Sequence, residues 1–180
     1  LCMKKIIIKK LNSSKSLFRI NNKIFFCQIG RSGIIPSYRK VEGDGSTPMG
    51  KFKILKIFYR NDKFKFLNLK KLYNFKVIRI TKNCIWYDDP STKKYNKYEK
   101  LTNNSKSYFS HEYLWRNDNV YDLIITLNYN MQPIIPKKGS AIFIHCSFKD
   151  KRPTAGCISL DKKDLKFILN NLQTIKYVKI

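Results

Sequence analysis

Residues 141–160 read AIFIHCSFKDKRPTAGCISL. An apolar run, Ala141-Ile142-Phe143-Ile144, ends on His145 and Cys146. A polar loop carrying Lys149, Lys151 and Arg152 follows, and Gly156-Cys157 leads into a second apolar run, Ile158-Ser159-Leu160. A short apolar run that ends at a polar loop reads as a strand. That strand presents an imidazole at its end, and a thiol follows twelve residues later, just after a glycine. These are the two groups a cysteine acyltransferase needs. The thiolate attacks a carbonyl, and the imidazole takes the thiol's proton and later serves the leaving and incoming amines. Gly156 removes a side chain beside the thiol, which lets a substrate backbone approach. Positive charge on the loop favours the thiolate, and backbone N–H groups around Gly156 and Cys157 are placed to hold an oxyanion.

The choice of residues is narrow. The chain has two histidines, His111 and His145, and five cysteines, at positions 2, 27, 84, 146 and 157. Cys27 and Cys84 sit inside apolar runs and read as small buried hydrophobes. Cys2 reads as a terminal residue, and Cys146 as a strand residue rather than a second nucleophile. The cysteine count is odd and no CxxC spacing occurs, so a structural zinc is not expected.

Outward from this stretch, apolar segments recur between turn signals, which predicts a sheet-dominated fold. Ser16–Ile20 and Lys23–Ile29 flank Asn21-Asn22, a pair that tolerates the positive φ of a tight hairpin. Residues 30–50 read as a long polar loop. Lys51–Tyr59, Val77–Ile80, Cys84–Tyr87, Val120–Leu127 and Thr174–Ile180 read as strands, with Val120–Leu127 central. Asp88–Ser107 is polar and reads as an excursion. One clear helical pattern occurs: Leu165, Ile168, Leu169 and Leu172 follow Asp161 as N-cap. With 180 residues, a single domain over 1–180 is expected.

Lys and Arg number 37 against 12 Asp and Glu, for a net charge of +25. That balance favours anionic partners: nucleic acid, a membrane surface, or an acidic wall polymer. The lysines are scattered, and the abundance of Lys, Asn and Ile is what an AT-rich coding sequence supplies. No nucleic-acid motif occurs, so nucleic acid is not an expected partner. No apolar run approaches the roughly 18 residues a membrane span needs. Lys4–Leu11, KKIIIKKL, is too short in its apolar core for a signal peptide.

Taken together, these motifs resemble a known family. The segment from His145 through Thr154-Ala155-Gly156-Cys157-Ile158-Ser159-Leu160 is similar to the L,D-transpeptidase catalytic domain, also called YkuD. Gly43-Asp44-Gly45-Ser46-Thr47-Pro48-Met49-Gly50-Lys51-Phe52 looks like that family's Thr-Pro-x-Gly-x-Phe element. Gly30-Arg31-Ser32-Gly33-Ile34, Leu114-Trp115-Arg116 and Val120-Tyr121-Asp122 look like its proteobacterial branch. The resemblance is clearest over residues 30–172. Two positions depart from the commonest pattern: Ala155 stands where many members have His, and Ser159 where many have Arg.

The resemblance implies a mainly β, sandwich- or barrel-like domain, with a short helix after the nucleophile strand and a few short helical segments. It implies Cys157 as nucleophile, His145 as base, the Cys146 backbone carbonyl as the group orienting the imidazole, Gly156 at the oxyanion region, and no metal or organic cofactor. The substrates would be peptidoglycan stem peptides, with anionic wall polymer as a further partner, and the location would be the periplasm or cell envelope. Arg31 and Arg152 are candidates for stem carboxylates, because Arg suits bidentate recognition. Thr154, Tyr129, His111 and Trp115 are further candidates to line the cleft. Asp44 and Thr47 fix their loop rather than act chemically. Two other readings remain open: an L,D-carboxypeptidase or endopeptidase on the same fold, and a non-catalytic cationic binding module.

Overall fold

The structure is a computed structural model that describes residues 5–64, 72–102 and 105–180. Cys2 lies outside the described residues. Strands β1 (Lys5–Lys10), β2 (Lys15–Ile20) and β3 (Lys23–Gln28) form an antiparallel meander. Asn21 takes φ 52° at the β2–β3 turn, the left-handed conformation that Asn tolerates. In β1, which pairs with β15 on one side and β2 on the other, Ile6 and Ile8 face the core, the period-2 alternation of a strand.

The stretch 30–50 is more ordered than a loop. It holds β4 (Ile34–Pro36) and β5 (Thr47–Met49), which pair in parallel as a small sheet of their own. β6 (Lys51–Phe52), β7 (Ile54–Tyr59), β8 (Lys76–Arg79) and β9 (Cys84–Tyr87) follow. The polar excursion after β9 also contributes a strand, β10 (Tyr98–Lys100). It pairs with β9, as does β11 (His111–Tyr113) on the other side. β12 (Leu123–Leu127), β13 (Phe143–Cys146), β14 (Ile158–Leu160), α1 (Lys162–Asn171) and β15 (Tyr177–Lys179) complete the chain.

The main sheet has ten strands in the order β6-β15-β1-β2-β3-β14-β13-β12-β7-β8. Two cores flank its centre. One joins Leu123, Ile125, Ile144 and Cys146 to α1 through Leu165, Ile168 and Leu169. The other joins Phe58, Ile124 and Phe143 to the β10-β9-β11 sheet through Cys84 and Trp86. Because both faces are covered, β12 is buried at every position, and its sequence is apolar without alternation. The fold is thus mainly β, and the one α-helix among the described residues comes directly after β14.

Asp161 occupies the helix N-cap position, but its side chain makes no capping hydrogen bond. Its carboxylate instead accepts from Ser147 Oγ at 3.0 Å and pairs with Lys151. The carboxylate therefore ties the 147–157 loop to the helix start. The capping reading fails because this loop supplies a hydroxyl and an ammonium that compete for the same oxygens.

Candidate active site

Period-2 alternation decides which way β13 points its side chains. Ile144 and Cys146 face the helix-side core, and Phe143 faces the other core. His145, two residues on, shares the face of Phe143. Its ring stands edge-on to Tyr121, with centroids 5.4 Å apart and planes at 86°. β14 runs parallel to β13, with Ile144 opposite Ile158 and His145 opposite Ser159. That register sets Cys157 level with Phe143, whose N–H donates to the Cys157 sulfur at 3.4 Å. Thiol and imidazole therefore project from adjacent strands onto one face, about 7 Å apart in level at roughly 3.3 Å per residue.

The loop before Cys157 is held from three directions. Thr154 N–H donates to Ile29 O (3.0 Å), and Arg31 N–H donates to Thr154 O (2.9 Å). Thr154 Oγ1 donates to Cys157 O (2.6 Å) and accepts from Gly156 N–H (3.2 Å). Thr47 Oγ1 donates to Gly156 O (2.9 Å) and accepts from Gly30 N–H (2.8 Å). Gly156 has φ 144°, and a Cβ there would lie 2.9 Å from the Ser46 carbonyl oxygen. Only glycine fits, on both conformational and steric grounds. Asp44 stays with its own loop. Burial pushes its carboxyl up, but hydrogen bonds from Lys40, Val41 and Ser46 more than offset this and hold it down at about 2.

A cavity of about 360 Å³ opens over the pair. It brings together four of the residues singled out from the sequence: His145, Thr154, Gly156 and Cys157. Cys146 contributes only its backbone, since its side chain lies in the helix-side core. The other five do not line the cavity. Arg152 stacks on Phe148 (3.9 Å) and pairs with Asp150 on the exterior. Arg31 donates to Gly43 O at 3.3 Å. Tyr129 is buried against Phe52 and donates to Lys138 O. His111, on β11, has Nδ1 2.7 Å from Phe109 O. Trp115 lies under the Arg60 guanidinium at 3.4 Å. The cavity recruits instead Glu42, Asp88, Glu112, Arg116 and Tyr121. Arg116 and Tyr121 sit within motifs quoted above for the family, but the acids come from separate segments and share no local pattern.

The protonation states follow from burial. His145 Nδ1 lies 2.8 Å from Cys146 O. A carbonyl only accepts, so Nδ1 carries the proton and Nε2 is left as the basic nitrogen. Burial is the main cause that holds the His145 pKa down at about 4. Burial first, and then the negative charge of Glu112, pushes the Cys157 thiol up to about 12. Its proton goes to Ala141 O, 3.0 Å away. The resting pair is thus neutral thiol and neutral imidazole, not thiolate and imidazolium.

A kinetic result follows from that resting state. In the absence of substrate, alkylation of Cys157 by iodoacetamide, followed by peptide mapping, should accelerate about tenfold per pH unit from pH 7 to 10 without a plateau. Saturation near neutral pH would contradict a raised thiol pKa.

Among the described residues, no group of three or more His, Cys, Asp or Glu is arranged to hold a metal ion, and no helix is long and apolar enough to cross a membrane. The family model of the L,D-transpeptidase catalytic domain, YkuD, matches residues 4–180. Searches of curated proteins and of solved structures return no match.

Proposed function

The chain belongs to the L,D-transpeptidase catalytic domain family, and from that premise we propose that it cross-links peptidoglycan stem peptides through a thioester on Cys157. Members of this family act on peptidoglycan. The observation that carries the reading is the shared cavity of Cys157 and His145, with the imidazole fixed through Nδ1 so that Nε2 serves as base. Cys157 Sγ attacks the carbonyl carbon of the third stem residue as its proton passes to His145 Nε2. Collapse of the tetrahedral adduct breaks the bond to the terminal D-alanine, whose nitrogen takes that proton from His145. An amine from a neighbouring stem then attacks the thioester carbonyl and gives its proton to His145. Cys157 leaves as thiolate and recovers the proton from the imidazolium. Gly156 keeps the oxyanion region open, and the Thr154 hydroxyl holds the backbone on either side of the nucleophile. This chemistry belongs in the periplasm, where the stems are.

The burial of both groups sets the order of events. Neither is ionised at rest, so proton transfer must accompany attack rather than precede it. A dry site strengthens every dipole that meets the developing oxyanion.

The test is mass spectrometry of products after incubation with purified disaccharide-tetrapeptide. The expected result is free D-alanine together with dimers lighter than two monomers by one alanine residue and one water. Release of D-alanine without dimers would assign a carboxypeptidase instead. Unchanged substrate would overturn the reading.

A further inference from the structure

Tyr121 stands beside the base and takes no part in the proton transfers. It follows Val120, whose carbonyl accepts from Cys146 N–H at 3.1 Å. The residue whose own carbonyl orients His145 is thus tied to the segment that carries Tyr121. The Tyr121 ring meets the imidazole with centroids 5.4 Å apart and planes at 86°, and meets Phe143 at 6.2 Å and 74°. It has little freedom of its own. The Arg116 guanidinium lies over the ring, 5.1 Å from its centroid, and is itself fixed by Asp118 through Nε and Nη2. The Tyr121 hydroxyl donates to Glu112. Glu112 lies on β11 of the three-stranded sheet, so one hydrogen bond anchors the neighbour of the base to a second sheet.

Packing alone does not account for this pair. Tyr121 lies in a cluster with Phe58, Ile124 and Phe143, where Phe would fill the space without a hydroxyl to satisfy. Taking that hydroxyl out of water is costly, as it is for the Glu112 carboxyl, which burial pushes up. Their mutual hydrogen bond offsets the cost. What a satisfied polar pair supplies, and an apolar pair does not, is a fixed orientation. The base needs one. His145 Nδ1 lies 2.8 Å from Cys146 O, and a hydrogen bond of ordinary strength shifts an equilibrium only about twofold to tenfold. It pins one ring nitrogen and leaves the ring free to tilt about that contact. An edge-to-face aromatic contact adds a second constraint of similar size and fixes the ring plane.

We propose that Tyr121 and Glu112 are positioning residues for the base: Glu112 holds the Tyr121 ring, and the ring holds the His145 imidazole in the plane and tautomer that keep Nε2 free for the Cys157 proton. The inference rests on the assignment of His145 as base above. Neither residue gives or takes a proton in the reaction. Glu112 acts on the imidazole only through Tyr121, so its contribution depends on an acceptor oxygen at that place and not on its charge.

The test reads the imidazole directly by NMR. The chain has two histidines, so protein labelled with nitrogen-15 in its histidine rings gives two sets of signals, and His145→Gln identifies those of His145. At neutral pH the parent should show His145 as one neutral tautomer, protonated at Nδ1. Glu112→Leu and Tyr121→Leu should each move both ring nitrogens toward the averaged shifts of a free imidazole. Glu112→Gln, whose amide oxygen still accepts from Tyr121, should keep the parent shifts. In turnover of the tetrapeptide, both leucine variants should lower kcat about tenfold to a hundredfold, the range for a misplaced catalytic group, with KM within about threefold. Variants at two positions guard against one that fails to fold. Parent shifts in both leucine variants would overturn the brace. So would a loss confined to KM, which would place these residues on the substrate. The shifts need no substrate, so the two readings fail separately. A parent that turns over nothing would sink the transpeptidase, and the shifts would still decide the brace.

Discussion

Cys157→Ala is expected to remove D-alanine release and dimer formation altogether, a fall of at least about 10³-fold in rate, and His145→Gln to cost about 10²- to 10⁴-fold. The double variant should be no slower than Cys157→Ala alone. Nucleophile and base act as one unit: the base has nothing to activate once the thiol is gone, so their effects do not add. The variants should still fold. Cys157→Ala leaves the Ala141 carbonyl without its thiol donor, a loss of about 1 kcal/mol or somewhat more. In a chain of this size that lowers Tm by a few degrees at most. Rates by mass spectrometry and melting by circular dichroism separate the two effects. A Cys157→Ala protein that kept a tenth of the rate would show that another group makes the acyl bond. Additive losses in the double variant would show that His145 acts on something other than the Cys157 proton.

The pair was legible in the sequence because it lies on two adjacent strands within one continuous stretch. The apolar run that ends at His145 is visible to a reader, whereas the parallel register that sets Cys157 beside Phe143 comes from the pairing of β13 with β14. The β2–β3 hairpin was legible for a similar reason, since Asn21 is a local signal for a local conformation. The three carboxylates that line the cavity were not. Glu42, Asp88 and Glu112 meet only through the pairing of β9 with β11 and the return of the 30–50 segment to the sheet, and neither is written in any local pattern. The same cause hid β4, β5 and β10. Each is three residues long, and none carries a run of buried apolar residues for a period to show. The arginines mislead in the opposite way. Arg31 and Arg152 stand beside the family motifs in sequence, yet a side chain's neighbours in space are set by the turn it sits on. Arg152 is turned out onto Phe148, while Arg116, quoted within a motif but not singled out, lines the cavity.

Gly156→Val should damage both stability and turnover severely. Two costs combine. The residue sits at φ 144°, a region nearly closed to side chains, where strain amounts to about 1–3 kcal/mol. Its Cβ would also lie 2.9 Å from the Ser46 backbone oxygen, and overpacking of that kind costs about 1–3 kcal/mol more. Neither can relax cheaply. Ser46 O is backbone, and the adjacent Thr47 hydroxyl is pinned between Gly156 O and Gly30 N–H. Gly30 is itself packed so tightly that a Cβ there would fall 2.3 Å from Gly45 O, so the segment cannot retreat. A loss of about 4 kcal/mol corresponds to a Tm lowered by roughly 10 °C in a chain of this size. Turnover should fail even below the melting point, because Cys157 is the next residue and its level beside Phe143 depends on this turn. Ala155→Ser is the control. Ala155 is exposed, so the change should move Tm by no more than a degree or two. A Gly156→Val protein that melts with the parent would mean that the Ser46–Gly156 approach does not hold the nucleophile in place, and the case for this loop as its rigid support would fall.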